Sequence, residues 1–203
     1  IDVLPKLINK KTGRIHTTFN QAVTTTGRLS SSEPNLQNIP IRTELGKRVR
    51  DTFVAEPGNI LIAADYSQIE LRIVASLAKD KNLMGIFERG EDVHKATAAI
   101  VNNIPLAEVT KEMRSAAKAV NFGVLYGMGV YGLSSRTGMS NFEAKEFIAK
   151  YFENFKEVKI YLDNTIKFAK KEGYVETLFG RRRYIPELKA SNFQLKNAGE
   201  RMA

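Results

Sequence analysis

Two cations and two aromatic side chains recur at every fourth position between residues 114 and 126. They are Arg114, Lys118, Phe122 and Tyr126. Each step of four residues advances by only about 40° around an α-helix, so all four would share one broad face. The cations could bind phosphate groups, and the rings offer flat apolar surface for a base or sugar. The spacing alone leaves a second interpretation open, in which the rings are buried in a core and the cations are solvated.

A carboxylate directly follows a run of five apolar residues. Residues 60–64, ILIAA, show no polar alternation, which predicts a strand covered on both faces. Such a strand would hold Asp65 in a fixed place, and its hard oxygen atoms suit magnesium. Alternatively, Asp65 caps the helix that we predict to begin at Ser67, where Ser67 and Glu70 have the spacing of a capping box. The residues by themselves leave both possibilities open.

The composition limits the class of protein. Hydrophobic residues make up 43% and charged residues 26%, which excludes wholesale disorder, and a net charge of +9 favours a polyanionic partner. No Cys is present, so disulfides and thiolate zinc sites are excluded. No apolar stretch approaches the roughly 20 residues of a membrane span. The chain begins at Ile1 without a Met and ends within a predicted helix, so we expect a piece of a longer protein.

Periodicity and turn residues predict a mixed fold in which helices dominate after residue 66. Up to about Ser32 we expect short strands and turns, with a loop over residues 30–35. Further predicted strands cover residues 49–55 and 60–64, and a hairpin covers residues 175–185. The predicted helices cover residues 67–77, 82–87, 93–101, 111–126 and 140–173, and the last residues of the chain. Gly127 and Gly129 would end the helix that carries the four spaced side chains.

Four segments resemble the family A DNA polymerases, the bacterial polymerase I type. Residues 65–72, DYSQIELR, match the family's first catalytic motif at every position. Residues 114–127, RSAAKAVNFGVLYG, resemble its fingers helix. Residues 24–40, TTTGRLSSSEPNLQNIP, resemble the segment that grips the primer–template minor groove, and residues 173–184, GYVETLFGRRRY, also resemble the family.

The resemblance spans essentially the whole chain and implies an α+β fold. A mostly α-helical fingers subdomain would be inserted in a partial antiparallel-sheet palm. Residues 1–79 would form partial palm with the primer–template segment and the first catalytic motif. Residues 80–173 would form the fingers, and residues 174–203 a palm hairpin and the start of the following helix.

The resemblance also implies the catalytic and nucleotide-binding residues. Asp65, with Tyr66, would bind two Mg²⁺ ions that join the primer 3′ hydroxyl to the incoming dNTP, and two-metal chemistry explains why such a carboxylate is needed. Arg114 and Lys118 would hold the triphosphate and count with Asp65 as catalytic. The implied nucleotide-binding residues are Tyr66, Gln68, Glu70, His94, Arg114, Lys118, Phe122 and Tyr126.

Two of these residues keep a second explanation. Glu70 would lie below the sugar and exclude a ribose 2′ hydroxyl, but it could also complete the capping box with Ser67. His94 would meet the triphosphate, but a lone histidine on a short helix could equally be structural.

The implied DNA-binding residues are Arg28, Asn35, Gln37, Asn38 and Gly127. Minor-groove acceptors are nearly the same for every Watson–Crick pair, so contacts there test pairing geometry without demanding a sequence. Gly127 would let the fingers helix end where the template base moves in or out. For residues 181–183, three consecutive arginines, we expect an architectural role first and a phosphate contact second.

The sequence lacks the family's third catalytic motif, His-Asp-Glu. We therefore expect a piece of a DNA polymerase, acting in DNA replication or repair, that supplies about half an active site and is inactive alone. The expected partners are primer–template DNA and dNTP, with no membrane, as a monomer in the bacterial cytoplasm or alternatively in a phage or organelle. One alternative is a non-catalytic module that binds nucleotide or primer–template. The other is an RNA-copying enzyme on the same scaffold. In the resembling family, Glu70 and Phe122 favour deoxynucleotides over ribonucleotides.

Overall fold

The structure is a computed structural model that describes residues 3–41 and 43–203. The chain divides into two compact units, Ile1–Asp65 and Tyr66–Ala203, here called unit 1 and unit 2. The fold is α+β, with helices and two small antiparallel sheets, as the sequence predicts. In the described ranges, no helix is both long and apolar enough to cross a membrane.

Unit 1 combines a short hairpin with one helix. Its elements are β1 (Thr18–Asn20), β2 (Ser30–Ser32) and α1 (Glu44–Asp51), with 3₁₀ turns at Leu4–Leu7 and Leu36–Asn38. The two strands are antiparallel, and Thr18 lies opposite Ser32. The hydroxyl of Thr17, just before β1, hydrogen-bonds the hydroxyl of Ser31 in β2 at 2.7 Å. The predicted loop over residues 30–35 is therefore wrong for its first three residues, which form β2.

The two strands predicted over residues 49–55 and 60–64 are wrong. Residues 49–51 belong to α1, which begins after Thr43, because the Thr43 hydroxyl accepts a hydrogen bond from Gly46 N at 3.0 Å. Residues 60–64 form no ladder with any described strand, and the side chains of Ile60 and Ile62 are 80% and 82% exposed. A strand requires a hydrogen-bonding neighbour, so apolar character alone did not produce one here.

Unit 2 is a helical body with one hairpin. Its helices are α2 (Ile69–Ala78), α3 (Lys81–Glu88), α4 (Val93–Asn102), α5 (Lys111–Leu125), α6 (Val130–Thr137), α7 (Asn141–Asn154), α8 (Lys156–Glu172) and α9 (Phe193–Met202). The hairpin pairs β3 (Tyr174–Glu176) with β4 (Arg182–Tyr184), as predicted but with shorter strands. The sequence did not predict α6.

The core of unit 2 centres on the contact between α4 and α5, where α4 also packs against α3 and α7, and α5 against α6. Small side chains line this contact, and Ala98 of α4 and Ala117 of α5 are completely buried. Small residues let the two helices approach closely. This packing decides which side of α5 faces solvent.

The predicted capping box at Ser140 and Glu143 is confirmed. Glu143 N donates to Ser140 Oγ at 3.2 Å, and Ser140 N donates to a Glu143 carboxylate oxygen at 2.8 Å. The single helix predicted over residues 140–173 is wrong, because non-helical backbone at Phe155 separates α7 from α8. Phe155 is completely buried, with its ring 4.8 Å from that of Tyr151. The non-helical backbone at Phe155 accompanies the burial of its ring.

The predicted capping box at Ser67 and Glu70 is also wrong. Gln68 precedes the helix in a left-handed conformation (φ 55°, ψ 41°), and no side chain caps α2. The first helical bond runs from Arg72 N to the Gln68 carbonyl at 3.1 Å. Glu70 is thus the second residue of α2 rather than the third, and a reciprocal bond to Ser67 is out of register.

Candidate functional site

One side of α5 carries the two cations and two rings that the sequence singled out. We call Arg114, Lys118, Phe122 and Tyr126 the α5 face. The residues on the opposite side of the helix that are buried in the core include Ala116, Ala117, Val120 and Val124. Tyr126 is 56% exposed, Lys118 is exposed, and Arg114 and Phe122 are half-buried. The interpretation in which both rings are core residues is therefore wrong for Tyr126.

Arg114 is held in place by the N-terminus of α4. Its Nε and Nη2 atoms donate to Asp92 Oδ2 at 3.0 and 2.7 Å. The other carboxylate oxygen accepts from the backbone N–H groups of His94 and Lys95. Burial acts to raise the pKa of Asp92, but Arg114 and these two N–H groups outweigh it and lower the pKa. Asp92 therefore remains ionised and links a helix cap to the first cation of the α5 face.

Lys118 is the second cation and lies one turn further along α5. Among residues 3–41 and 43–203 it has no ion-pair partner. An exposed ammonium group with three donors and no carboxylate beside it is free to bind an anion. The α5 face thus offers one fixed cation and one available cation, separated by a single helical turn.

His94 lies beside the α5 face rather than on the surface of α4. It is only 3% exposed, and its ring centroid lies 5.5 Å from that of Phe122. Burial lowers the pKa of His94, and Arg114 and Lys118 lower it further against the opposing effect of Asp92. The imidazole is therefore neutral at neutral pH.

The α5 helix ends in a tight turn at Gly127. Gly127 N donates to the Val124 carbonyl and Met128 N donates to the Gly123 carbonyl, the bonds of a Schellman motif. Gly127 has φ +65°, and a Cβ there would lie 2.7 Å from Arg201 Cγ. A side chain at this position would therefore meet both backbone strain and a collision.

A half-open cavity of about 510 Å³ adjoins this turn. Its walls include Phe122 and Tyr126 of the α5 face and the cationic residues Arg136 and Arg201. Aromatic surface beside guanidinium groups suits a base together with its phosphate. The cavity therefore continues the chemistry of the α5 face to the C-terminal end of α5.

The segment that resembles the first catalytic motif, residues 65–72, falls across the division between the two units. Asp65 is the last residue of unit 1 and is exposed, whereas Tyr66 begins unit 2 and is 80% exposed. Gln68 and Glu70 are half-buried at the start of α2. In the described ranges, no group of three or more His, Asp or Glu side chains is arranged to hold a metal ion. Asp65 suits Mg²⁺ by donor type, but these residues alone do not complete a magnesium site.

The four predicted DNA-binding residues of unit 1 are all exposed and lie around the β1–β2 hairpin. Asn35 Oδ1 accepts from Gln37 N at 3.0 Å and so caps the short turn that contains Asn38. Gln37 Nε2 donates to the Leu29 carbonyl at 3.4 Å. Arg28 follows Gly27, which has φ +83°. The hairpin therefore presents a polar surface with some of its amides already used in local structure.

The three arginines of the β3–β4 hairpin differ in their contacts. Arg182 donates to Glu176 at 2.8 Å and lies over the Tyr174 ring at 4.6 Å. Arg183 donates to the Met202 carbonyl at the end of α9, at 3.3 Å. Arg181 side chain lies exposed at the turn. Two of the three thus have the architectural role that we expect.

Sequence reasoning missed four residues that support the site. They are Asp92, which pairs with Arg114, Asn121, which contacts His94 and Thr97 by hydrogen bonds, Thr97 itself, and Arg201, which lines the cavity beside Gly127. Asp92 follows the pattern of a helix N-cap two residues before His94, so that signal was present in the sequence. The other three act across contacts between helices, which no local spacing reveals.

Comparison with known proteins places this geometry in one family. The sequence profile described as DNA polymerase family A matches residues 1–203. The chain is 53% identical over 203 residues to "DNA polymerase I, thermostable" of Thermus filiformis and 53% identical over 202 residues to DNA polymerase I of Pseudomonas aeruginosa. Each alignment includes 100% of this chain but only 24% and 22% of the two relatives, so the chain spans about a quarter of their length.

Among solved structures, the chain is similar to the "POL domain of Pol1 from M. smegmatis complex with DNA primer-template and dNTP". The TM-score is 0.90 at 48% identity, over 99% of this chain and 35% of that one. The likeness in sequence and fold thus covers the whole chain. The protein belongs to DNA polymerase family A.

Proposed function

We propose that this chain is the nucleotide-binding part of a DNA-directed DNA polymerase, a nucleotidyltransferase that joins a deoxynucleotide from dNTP to a primer 3′ hydroxyl. The observation that carries the proposal is the α5 face. A fixed Arg114, an available Lys118 and two accessible rings follow one another along a firmly packed helix. This order fits a ligand with a polyanionic end and a flat apolar end.

Each residue of the α5 face then has a role. Arg114 and Lys118 bind the triphosphate, and their fixed backbone places the charge where phosphoryl transfer needs it. Phe122 contacts the sugar and base, and Tyr126 stacks beside the templating position at the cavity near Gly127. Tyr66, Gln68 and Glu70 complete the nucleotide site from the start of unit 2 in our proposal.

Glu70 selects the sugar in this account. Its competing explanation, the capping box with Ser67, is out of register with α2. A half-buried carboxylate early in the helix could exclude a ribose 2′ hydroxyl by occupying its space.

For magnesium, Asp65 would supply one carboxylate ligand, beside Tyr66. When bound, two Mg²⁺ ions would neutralise charge on the attacking and leaving oxygens of the displacement. The contribution of this chain would be limited to a hard oxygen donor of the right type.

Primer–template DNA is the proposed partner of unit 1 and of the turn at Gly127. The exposed donors Arg28, Asn35, Gln37 and Asn38 suit minor-groove acceptors, and the net charge of +9 favours a polyanion. The bacterial relatives support the expected cytoplasmic location, and we expect a monomer. Support also comes from the solved structure of the M. smegmatis Pol1 POL domain, which is a complex with DNA primer-template and dNTP.

A second candidate is a non-catalytic module that binds nucleotide or primer–template. It is favoured by the absence of a complete metal-binding group among residues 3–41 and 43–203. Activity in a complete polymerase separates the two candidates.

The experiment is a chimaera in which residues 1–203 replace the matching quarter of the Thermus filiformis polymerase. We expect the chimaera to extend a primer with dNTPs, and we expect the chimaera with Asp65→Ala to be inactive. The 203-residue chain alone should bind primer–template DNA with salt-dependent affinity but should not extend it. A folded chimaera that binds DNA and dNTP without extending primers would support the binding module instead.

A further inference from the structure

A buried amide contacts His94 from inside the core. Asn121 is completely buried on α5, and its Nδ2 lies 3.1 Å from His94 Nδ1. The same Nδ2 donates to Thr97 Oγ1 at 3.1 Å, and Thr97 Oγ1 lies 3.4 Å from Asn121 Oδ1. Thr97 is also completely buried. A polar trio in a dry helix contact is costly unless its members satisfy one another, as these do.

The Asn121 amide is oriented with its nitrogen towards His94, and this contact indicates where the histidine proton lies. An amide nitrogen only donates, so His94 Nδ1 must accept. A neutral imidazole carries a single N–H, which then resides on Nε2. Burial and the nearby cations Arg114 and Lys118 lower the pKa of His94, and Asp92 alone opposes them, so the neutral form persists at neutral pH.

The outer nitrogen of His94 remains available. Within the part of the chain that the structure describes, His94 Nε2 has no hydrogen-bond partner, and this atom is not fully enclosed by the protein. The remaining 3% exposure of the residue therefore includes this nitrogen. Phosphate oxygens only accept hydrogen bonds, so an Nε2 lone pair would repel them whereas an Nε2–H would bind them.

We propose that Asn121, supported by Thr97, is a positioning residue that holds His94 as the Nε2–H tautomer and directs this neutral donor to a phosphate oxygen of the incoming nucleotide. The arrangement gives the site a third donor without a third positive charge beside Arg114 and Lys118. The ligand part of this inference rests on the proposed function, but the tautomer does not.

The tautomer is measured directly on the ¹⁵N-labelled 203-residue chain by long-range ¹H–¹⁵N correlation of the imidazole rings. The sequence has only two histidines, so a His16→Gln variant assigns the signals. We expect a protonated Nε2 and an unprotonated Nδ1 for His94 at pH 7.5. A protonated Nδ1 in the wild-type chain would overturn the proposal without any variant at the site.

Two substitutions test the role of Asn121. Asn121→Asp keeps the shape but only accepts, so the His94 proton should move to Nδ1 and the pKa of His94 should rise. Asn102→Asp is the matched control, because the Asn102 amide donates to the Ala98 carbonyl of its own helix, and the tautomer should not change. An unchanged tautomer in Asn121→Asp would contradict the proposal.

A dNTP titration of the same chains tests the outward donor. Asn121→Leu adds no charge and should weaken dNTP binding at least fivefold, whereas Asn102→Asp should not. A wild-type affinity of Asn121→Leu for dNTP would overturn the positioning role. If the leucine variant unfolds, the tautomer of His94 in Asn121→Asp decides instead, and an unchanged tautomer there overturns the role. If the wild-type chain bound no dNTP, the proposed function would fail while the tautomer measurement would still stand.

Discussion

Units 1 and 2 differ in what holds their backbone in place. Unit 2 has a continuous apolar core, with completely buried residues on α2, α3, α4, α5, α6, α7 and α8. In unit 1, the described residues that are buried are Ser31 and Gly46, and no large apolar side chain joins them. The α5 face belongs to the unit with the apolar core, whereas the β1–β2 hairpin is defined mainly by hydrogen bonds. The comparison leads us to expect that the proposed triphosphate binding uses a preorganised surface, whereas the proposed DNA contacts use a more adaptable one.

Amide hydrogen exchange should show the largest difference between the units. Amides of α4 and α5 open only by disrupting the core, whereas those of β1, β2 and residues 53–66 need little disruption. With a typical unfolding free energy near 5 kcal/mol, the protection factors should differ by about a thousandfold or more. Mass spectrometry of exchange in the isolated chain measures this directly. Equal protection in the two regions would remove the distinction.

A matched pair of isoleucines tests the same distinction by stability. Ile86 on α3 is completely buried, and Ile62 is 82% exposed. Ile86→Ala should lower the free energy of unfolding by about 2–5 kcal/mol, whereas Ile62→Ala should change it by less than about 0.5 kcal/mol. Urea unfolding followed by circular dichroism gives both values. A comparable loss for Ile62→Ala would mean that residues 60–64 are packed in solution.

Residues 60–64 also show why part of the fold escaped sequence analysis. Helix α5 was predicted almost to the residue, because the four-residue spacing and the glycines that follow it are local signals. The strand over residues 60–64 and the strand at residues 49–55 depended on neighbours that local composition cannot supply. The break at Phe155 was missed because it accompanies the burial of one ring against Tyr151.

For the site, spacing found the α5 face, and only tertiary contacts found its supports. Thr97 and Asn121 are 24 residues apart in sequence and meet only after α4 and α5 pack. The pairing of Asp92 with Arg114 is of the same kind. Functional side chains that lie on one helix could be predicted from the sequence, whereas the side chains of a second helix that hold them in place could not.

Sugar selection tests the start of unit 2, next to the division at Asp65. Glu70→Ala in the chimaera should open space for a 2′ hydroxyl, since no capping box competes for this side chain. The ratio of catalytic efficiencies for dNTP over rNTP should narrow at least about tenfold, or 1.4 kcal/mol. Steady-state kinetics with both nucleotides measure the ratio, and Glu70→Gln is the control that keeps the volume. An unchanged ratio in Glu70→Ala with lower thermal stability would assign Glu70 a structural role.

The smallest expected effect is a pH dependence of the free energy of unfolding that comes from a carboxyl group in the core of unit 2. Asp80 is completely buried, and in the described ranges its Oδ2 has no hydrogen-bond partner, although Oδ1 accepts from Leu83 N at 2.9 Å. Burial raises the pKa of Asp80, and Glu157 raises it further, above the ordinary value of 3.8. A raised pKa means that stability present below pH 3.8 is lost as pH rises through the folded value.

The variant Asp80→Asn should remove this loss while keeping the cap on α3. Relative to the variant, the wild-type chain should therefore become less stable between pH 4 and pH 7.5 in urea unfolding. A difference that stays constant over this range would show that Asp80 ionises as easily in the folded chain as in the unfolded one.

The central claim is that the α5 face binds the triphosphate, and Lys118 tests it most directly. In the chimaera, Lys118→Ala should raise the activation free energy of single-turnover dNTP incorporation by about 2–4 kcal/mol, because a preorganised charge donor is lost. The rate should therefore fall roughly 30- to 1,000-fold. Lys145→Ala, an exposed lysine on α7, is the matched control and should leave the rate unchanged. A Lys118→Ala rate within a factor of two of the control would contradict the account.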